Sequence, residues 1–569
     1  METSGKDISS VAANPIPQSS QPQKSMDKSS TVAGSFELTG LEGGSIKAGS
    51  STRDTVPIES TNNLKRGLKA RHLQMIAMGG TIGTGLFIGS GAALSKSGPV
   101  GALIAYAWVG TLVYSVMLSL GEMATYLPIS GAFTAYATRF VDASLGFALG
   151  WIYWFSWAVT YALELTAVGL IIQYWDDNLS IAIFISIFWV LITLVNFLPV
   201  KVYGELEFWA ASIKVITIIG FILFGICIDA GAGKEGYLGF THWVHPGPFA
   251  EYLVSGSTGK FVGFWAVLIQ AGFSYQGTEL VGIAVAEVQN PRQTVPSAIQ
   301  KTFYRILLFF VGTVFFIGLL IPYNNKSLLS SASDATASPF VIAAQLAGVK
   351  VLPGIINAVL LTVVLSAANS NVYSGSRILV GLAESGLAPR FLGRTNRHGV
   401  PYLAVLVTSA VGLLAFLNVS SSAGTVFNWL VNISGVAGFI CWCSISLSHI
   451  RFMGALRQQG ISRETLPFVA RYQPWFSYYG FGFMSLITVT QGFTCFIPWD
   501  TSSFFVNYVS LILFAVLYTG HKLWFKTRMV KLEHVDLLTG RKEGVSDDVV
   551  EFDVPRHQTW KQRIVSMVS

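Results

Sequence analysis

The chain has 569 residues, of which 52% are hydrophobic and 12% are charged, and its formal net charge is +7. A soluble domain has about twice that charged fraction, so the composition excludes an ordinary soluble protein. The net positive charge comes from Lys and Arg residues in the loops beside apolar stretches. It therefore does not indicate a nucleic-acid partner.

The apolar residues form twelve stretches, most of them near the ~20 residues that a helix needs to cross a hydrocarbon core of ~30 Å. Lipid offers the backbone no hydrogen-bond partner, so such stretches must be helical. The sequence predicts an all-α polytopic membrane protein with twelve transmembrane helices. In chain order, segments 1 to 12 are Leu73–Leu94, Val100–Tyr126, Gly146–Tyr174, Ile181–Pro199, Phe208–Ile228, Phe261–Ala286, Ile306–Pro322, Leu352–Leu382, Tyr402–Leu417, Phe427–Ile450, Tyr478–Ile497 and Phe504–Trp524.

Charged residues alternate between the loops. Lys and Arg collect before segment 1, between segments 6 and 7, 8 and 9, and 10 and 11, and after segment 12. The opposite loops are poor in these residues and contain Asp176, Asp177 and Asp500. By the positive-inside rule, both termini are predicted to be cytoplasmic.

The chain divides into three regions by composition. Residues 1–63 are rich in Ser, Thr, Gly and Pro and are predicted to be a disordered cytoplasmic tail. Residues 64–525 form the predicted twelve-helix domain, and residues 526–569 form a second cytoplasmic tail. Tail lysines such as Lys6 and Lys24 would be accessible to ubiquitin ligase machinery. A solubilising leader with no further role explains the first region equally well.

Glycines interrupt two of the segments. Segment 1 contains four glycines within Gly79–Gly85, and segment 6 is interrupted at Gly272–Glu279. Each glycine lowers the preference for helix by roughly 1 kcal/mol. The two breaks are five segments apart, an odd number, so the two halves would have opposite topology, a pattern that marks the binding site of transporters. Close packing between helices is an alternative reason for glycines.

The two breaks would expose complementary backbone groups. Unwinding in segment 1 frees N–H groups that suit a carboxylate, and Thr81 and Thr84 add hydroxyl donors. Unwinding in segment 6 frees carbonyl groups that suit an ammonium ion. Because an α-amino acid carries both charged groups, the breaks predict an amino acid seat.

The motifs also resemble those of a known family. Gly79–Gly89 resembles the first-span signature of the amino acid–polyamine–cation superfamily, and Phe273–Gly282 resembles the sixth-span signature of the fungal amino acid permeases. The resemblance covers roughly residues 64–524. Phe155–Trp157 and Ala162–Leu165 are most similar to the basic amino acid permeases, the arginine and lysine transporters.

This resemblance implies a LeuT-like core of two inverted five-helix repeats plus two extra helices. It also implies proton-driven uptake across the plasma membrane without a cofactor. The predicted substrate seat comprises Thr81, Ile82, Gly83, Thr84, Gly85, Phe273, Ser274 and Gln276. Within it, the resemblance assigns the carboxylate to Thr84 and Gly85, and the ammonium group to the carbonyls of Thr81, Phe273 and Gln276.

Ionisable residues within the segments are costly and often functional, and three of them are candidates for a role in transport. Glu164 in segment 3 would pair with a cationic substrate side chain, or would have a structural role. Glu279 at the second break is predicted to couple transport to protons, with structural hydrogen bonding as the alternative. By resemblance, Lys214 in segment 5 would replace a coupling sodium ion; the alternative is an extended side chain that reaches the cytoplasmic surface.

Selectivity stays open at the sequence level. By resemblance, Thr166 and Ser434 occupy positions that differ between arginine- and lysine-preferring members, and this pair does not decide between them. The sequence predicts a proton-coupled importer of cationic amino acids. The alternatives are a broad or neutral amino acid permease and a sensor that binds without transport. No nucleophile–base pair or phosphate loop indicates an enzyme, and no spacing indicates a metal site.

Overall fold

A computed structural model describes Met75 and residues 82–541, except 130, 177, 286–290, 330–337, 420–422 and 497. Thr81 and the predicted N-terminal tail lie outside the described residues. The described part of the chain is helical and contains no strand. Its α-helices are Thr84–Phe87, Gly89–Tyr126, Ala132–Tyr136, Ala143–Gln173, Ile181–Val195, Val200–Cys227, Thr241–Val244, Gly256–Ala266, Leu268–Tyr275, Leu280–Ala284, Pro291–Arg305, Gly312–Leu320, Lys326–Leu329, Pro339–Leu346, Leu352–Glu384, Tyr402–Val411, Ala423–Gln458, Trp475–Thr490 and Thr501–Phe525. Short π- and 3₁₀-helical turns cover Ala137–Val141, Ile228–Ala232, Ile306–Val311, Arg390–Gly393, Gly412–Val419, Arg463–Thr465, Phe493–Cys495 and Leu532–His534.

Eight helices within the described residues are long and apolar enough to cross a membrane. They correspond to predicted segments 2, 3, 5, 7, 8, 9, 10 and 12. Segments 4 and 11 are the shorter helices Ile181–Val195 and Trp475–Thr490. Within the described residues, segments 1 and 6 are interrupted, and neither is among these eight helices.

Segment 3 is the central helix of the described fold. Its most apolar stretch is 89% buried inside the protein, whereas that of segment 12 is only 11% buried. Segment 3 begins at Ala143, where the Asp142 carboxylate accepts a hydrogen bond from the Ser144 N–H at 3.0 Å and caps the first turn. The same carboxylate pairs with Lys522 at the end of segment 12. This ion pair connects the central helix to a peripheral one.

Segment 5 begins earlier than its apolar pattern predicts. The helix starts at Val200, directly after Pro199, and not at Phe208. Its first two turns contain Glu207, which is buried beside Lys214. Glu207 therefore faces the protein interior, whereas Lys201 in the same turns is exposed.

A tight bend separates segments 1 and 2. The backbone leaves the helical region at Gly98, whose φ is 74°, immediately before Pro99. A Cβ atom at this position would come within 2.6 Å of the Ala250 amide nitrogen. Only glycine meets both the positive φ and this close approach.

The two helix breaks meet at the centre of the fold. In segment 1 a helix begins at Thr84, directly after the non-helical Gly83. In segment 6 it ends at Tyr275 and starts again at Leu280. Gly85 lies against the second break, because an added Cβ would be 2.7 Å from the Cα atom of Ser274.

The chain beyond segment 12 packs back onto the helices. The Val530 N–H donates to the Val141 carbonyl at 2.9 Å. Gln459 at the end of segment 10 donates to the Val535 carbonyl at 2.8 Å. Val535 and Leu537 are both buried. The first part of the predicted C-terminal tail is thus attached to the helical domain.

Candidate functional site

A cavity lies where the two breaks meet segments 3 and 8. It encloses about 400 Å³ of empty space, part of it open solvent. Its lining residues are Gly83, Thr84, Gly85, Trp157, Thr160, Glu164, Phe273, Ser274, Gln276, Ala367 and Asn371. The set combines apolar surface with a few polar groups, as small-molecule sites do.

The first break contributes Gly83, Thr84 and Gly85 to this lining. A Cβ at Gly83 would lie 3.5 Å from Oε1 of Glu164, so glycine keeps this side of the cavity open. Ile82 was predicted for the seat, but it is fully buried in the core and is not among the lining residues.

The second break contributes Phe273, Ser274 and Gln276. The helix ends there because Gln276 has extended backbone angles, with φ −58° and ψ 142°, and Gly277 has a φ of 91°. Ser274 is held by hydrogen bonds to the Tyr106 hydroxyl and the Gln270 carbonyl. The structure therefore brings together the described residues of the predicted seat, with Ile82 as the exception.

Among the described lining residues, Glu164 is the one carboxylate, and its two oxygens have different surroundings. Oε1 accepts a hydrogen bond from the Thr84 hydroxyl at 3.1 Å. Oε2 is buried and has no hydrogen-bond partner among the described residues. A buried polar atom without a partner is costly, and more so when it is charged. A cationic group in the cavity would give Oε2 a hydrogen-bond donor and an opposite charge.

Segments 3 and 8 supply lining residues that the sequence analysis did not assign to the seat. Trp157, Thr160 and Glu164 lie at positions i, i+3 and i+7 of segment 3, and so share one helix face. This spacing could have identified the first two once Glu164 was suspected. Ala367 and Asn371 of segment 8 are related by i and i+4, but nothing in their local sequence separates them from the polar residues nearby.

Ser434 of segment 10 lies just behind the lining. Its hydroxyl contacts that of Thr160, lies 3.2 Å from the Ser156 hydroxyl and donates to Oε1 of Gln276 at 3.2 Å. Ser434 can therefore influence the cavity through two lining residues. Thr166 is different: its hydroxyl donates to the Ala162 carbonyl one turn earlier, and it does not line the cavity.

Glu279 ends the second break, directly before the helix restarts at Leu280. It is fully buried and does not line the cavity. The Tyr153 hydroxyl donates to Oε1 at 2.9 Å, and the Trp442 indole N–H donates to Oε2 at 3.0 Å. Arg305 is also buried there, and donates to the Thr278 hydroxyl at 2.7 Å. Through the bonds from Tyr153 and Trp442, the Glu279 carboxylate connects segment 6 to segments 3 and 10.

Lys214 is fully buried in segment 5. Its Nζ lies 3.5 Å from Oε1 of Glu207, which is also buried. The alternative of an extended side chain that reaches the surface does not hold, because no part of Lys214 is exposed.

Comparison with known proteins identifies the family. Residues 72–534 match the family model described as amino acid permease. A lysine-specific permease of Saccharomyces cerevisiae is 50% identical over 87% of this chain and 81% of its own length. A basic amino-acid permease of the same organism is 48% identical over 90% of both chains. A proline-specific permease of Emericella nidulans is 43% identical over 89% of this chain and 94% of its own. Since these names differ in substrate, the likeness to the family alone leaves the substrate open.

Proposed function

Because the chain belongs to the amino acid permease family, a family of membrane transporters and not of enzymes, we propose that it is a proton-coupled importer that prefers arginine and lysine. The names of the two relatives near 50% identity, a lysine-specific and a basic amino-acid permease, support this preference. The cavity between the helix breaks is the substrate site in this proposal.

The observation that carries the preference is the free oxygen of Glu164. Oε2 is buried in the cavity without a donor, while Oε1 is held by Thr84. A guanidinium or ammonium group would supply the missing donor and the opposite charge, and such charge-assisted bonds are stronger than neutral ones. A leucine side chain would leave the carboxylate buried and unpaired.

The backbone of the substrate would occupy the breaks. Thr84 and Gly85 would bind the carboxylate, and the carbonyls of Thr81, Phe273 and Gln276 would bind the ammonium group. Thr84, Gly85, Phe273 and Gln276 line the cavity, which supports this arrangement. Every amino acid carries these two groups, so this part of the site accounts for the class of substrate and Glu164 for the choice within it.

We propose that all twelve segments cross the membrane, as two inverted five-helix repeats plus two extra helices. Interrupted helices at segments 1 and 6, five segments apart, support an inverted repeat. The positive loops support cytoplasmic termini. The plasma membrane is the proposed location, and the tail lysines are proposed targets of ubiquitin ligases.

Protons are the proposed coupling ion, with no other cofactor. Glu279 and Lys214 are the proposed coupling residues, since both are buried ionisable groups within segments. Glu279 follows the second break directly, where a change of charge would affect the substrate seat. Lys214 pairs with Glu207, whose carboxylate accepts hydrogen bonds from Ser366 and Ser370 of segment 8, the segment that also contributes Ala367 to the cavity lining.

Competition uptake in a permease-deficient host tests the proposal. Cells expressing the full chain receive labelled arginine at two external pH values, with unlabelled lysine, leucine or proline as competitors and with or without a protonophore. We expect arginine to accumulate against its gradient, lysine to compete best, and the protonophore to abolish accumulation.

Each part of the proposal can fail separately. If leucine competes better than lysine at equal concentration, the cationic preference is wrong. If accumulation survives the protonophore, the coupling ion is not the proton. If arginine binds to the purified chain but is never accumulated, the protein is a sensor.

A further inference from the structure

Segment 8 contains three buried asparagines, and their amide groups have different partners. The Asn357 NH2 group donates to the Ile171 carbonyl at 2.9 Å, and the Asn369 amide oxygen accepts a hydrogen bond from Asn196 at 2.8 Å. Both bonds connect segment 8 to a neighbouring segment. The Asn371 NH2 group is buried and has no hydrogen-bond partner among the described residues. Of the three, Asn371 is also the one that lines the cavity.

The free NH2 group of Asn371 indicates a ligand. A buried polar group without a hydrogen bond is costly, and Asn371 is 97% buried, with 3% of its surface exposed. Because no bond fixes the NH2 group, the amide can turn about its Cβ–Cγ bond and present either its oxygen or its nitrogen to the cavity. A guanidinium or ammonium group carries donors only, so it selects the orientation in which the oxygen faces the cavity.

Segments 3 and 8 pack against each other in opposite directions. Ile171 near the end of segment 3 is bonded to Asn357 near the start of segment 8. At the other end, a Cβ atom added to Gly150 would lie 2.3 Å from the Leu382 side chain. A step toward the start of segment 3 therefore corresponds to a step toward the end of segment 8.

This packing places Asn371 about one helical turn from Glu164. A Cβ atom added to Gly83 would lie 3.5 Å from Oε1 of Glu164 and 3.7 Å from the Ala367 Cβ, so these two residues share one level of the cavity. Thr160 and Asn371 lie four residues further along in each helix and share the next level, about 5.4 Å away. The Thr160 hydroxyl already donates to a carbonyl of its own helix at 2.8 Å, whereas the Asn371 NH2 group is free.

Arginine and lysine side chains would use these two levels differently. The guanidinium is a planar fork with five N–H donors, whereas the lysine ammonium is a compact charge with its donors on a single nitrogen. A guanidinium bonded to Oε2 of Glu164 still has N–H groups that point away from the carboxylate, toward the next level. An ammonium bonded to the same oxygen has no second nitrogen with which to reach Asn371.

We infer that Asn371 is a substrate-binding residue that makes this permease prefer arginine to lysine. Its amide oxygen accepts a hydrogen bond from the guanidinium, while Glu164 supplies the opposite charge. Glu164 thus selects cationic substrates, and Asn371 selects among them. This inference rests on the proposed function, because it needs a substrate with a cationic side chain in the cavity.

The test compares the binding of arginine with that of lysine, because a general defect of the cavity would weaken both. Purified full-length protein in nanodiscs is titrated with labelled arginine, and unlabelled lysine and leucine are tested as competitors. Asn371→Leu removes the hydrogen-bonding groups from a side chain of similar shape. Asn371→Asp keeps an oxygen that can accept the proposed bond.

Asn369→Leu is the matched control. It also removes a buried amide from segment 8, but Asn369 does not line the cavity. Its partner Asn196 keeps a second acceptor, because the Asn196 NH2 group also donates to the Ile192 carbonyl at 3.0 Å. The control therefore reports the effect of losing an amide from this helix without a change in the cavity lining.

We expect Asn371→Leu to raise the Kd for arginine at least about tenfold, as the loss of a hydrogen bond to a charged group does. The apparent Kd for lysine should rise less than threefold. Asn371→Asp should bind arginine within threefold of the wild type or more tightly. In Asn369→Leu, the ratio of the Kd values for arginine and lysine should stay within twofold of that of the wild type.

Unchanged arginine binding in Asn371→Leu would overturn the inference, and so would an equal rise of the Kd for arginine and lysine. Weaker arginine binding in Asn371→Asp would also overturn it, because the NH2 group and not the oxygen would then contact the substrate. If Asn371→Leu binds no amino acid at all, Asn371→Asp alone decides. Failure of the proposed function looks different, since the wild type would then bind leucine more tightly than arginine.

Discussion

The Thr84 hydroxyl donates to Oε1 of Glu164 at 3.1 Å, which joins the break in segment 1 to the centre of segment 3. This bond orients the carboxylate and leaves Oε2 unpaired in the cavity. In the proposed site, Thr84 belongs to the part that binds the amino acid backbone, and Glu164 to the part that binds a cationic side chain. This hydrogen bond therefore connects the two parts. Small changes at either residue should affect both.

Replacement of Glu164 by Gln should selectively weaken the binding of cationic substrates. The amide oxygen can still accept the hydrogen bond from Thr84, but the negative charge is lost. A hydrogen bond to a charged group contributes about 1.5–3 kcal/mol, so the KM for arginine should rise roughly 10- to 100-fold. Uptake kinetics of arginine and leucine in the same cells would measure this.

The KM for leucine, where leucine is a substrate, should change less than threefold in Glu164→Gln. An equal loss for arginine and leucine would instead assign Glu164 a structural role. Surface expression of the variant has to match that of the wild type for the comparison to hold.

Replacement of Gly85 by Ala should strongly reduce transport. The new Cβ would lie 2.7 Å from the Ser274 Cα and 3.0 Å from a Phe273 ring carbon, so the two breaks would have to separate. Overpacking of this kind costs about 1–3 kcal/mol, and it acts directly on the seat. We expect arginine uptake to fall at least tenfold.

Gly220 provides the matched control for Gly85. It lies within the helix of segment 5, and an added Cβ would meet no atom within 4 Å. Gly220→Ala should retain uptake within twofold of the wild type. Normal uptake by Gly85→Ala would show that the breaks can separate without loss of the site.

Replacement of Glu279 by Gln should uncouple transport from the proton gradient. Tyr153 and Trp442 donate to different oxygens of Glu279. In the amide one of these oxygens becomes an NH2 group, so one of the two donors loses its acceptor, and the side chain can no longer take up a proton. We expect accumulation of arginine to fall at least tenfold, while exchange of labelled for unlabelled arginine continues. Tyr153→Phe keeps the charge and should have a smaller effect.

The coupling role of Glu279 would be rejected by a Gln variant that accumulates arginine with the pH dependence of the wild type. Loss of exchange together with accumulation, at normal surface expression, would point to a structural role. Reconstituted vesicles with an imposed pH gradient would measure both activities.

Replacement of Asp142 by Asn should destabilise the protein at neutral pH. Burial alone would raise the pKa of Asp142, but hydrogen bonds from Lys522 and the Ser144 N–H outweigh it and hold the pKa below its usual value. Asn caps a helix about as well as Asp, so the substitution isolates the charge. We expect a loss of about 1 kcal/mol, because Lys522 is partly exposed.

The pH dependence of this effect has a definite sign. A carboxyl whose pKa is lowered by folding stabilises the folded state above its unfolded pKa of about 3.9, and that stability is lost as the pH falls through the folded pKa. Thermal unfolding should separate wild type and Asp142→Asn at pH 7 and bring them together only below the lowered folded pKa of Asp142, at a pH under its ordinary value of about 3.9. Glu533 forms an exposed pair with Lys531, so Glu533→Gln should change the unfolding temperature little at either pH. An equal shift of the unfolding temperature in both variants would contradict the prediction.

Local composition was sufficient to predict where most helices lie. Segments 3, 8 and 10 were located from their apolar residues alone, because lipid leaves the backbone no alternative to a helix. The ends of the segments were less predictable. Segment 5 starts at Val200 and not at Phe208, because Glu207 is neutralised by a lysine two turns later and so can be buried.

The candidate site could be predicted in part, because some of its residues belong to local sequence patterns. The glycines of the two breaks show in the sequence because glycine weakens a helix wherever it occurs. Thr160 and Trp157 share a helix face with Glu164 and could have been found by spacing. Asn371 could not, because its place in the cavity depends on how segment 8 packs against segment 3.

The sequence by itself determined the class of the protein, its helical segments, the two breaks and the resemblance to amino acid permeases. All of these follow from short-range properties, namely hydropathy, glycine content and local motifs. Only the tertiary structure decided which oxygen of Glu164 is free, that Lys214 is buried, and that Glu207 holds it. These facts depend on contacts between residues far apart in the chain, such as the 80 positions between Thr84 and Glu164. Hydrogen bonds and charge pairing are set by distance in space, which no local pattern of residues records.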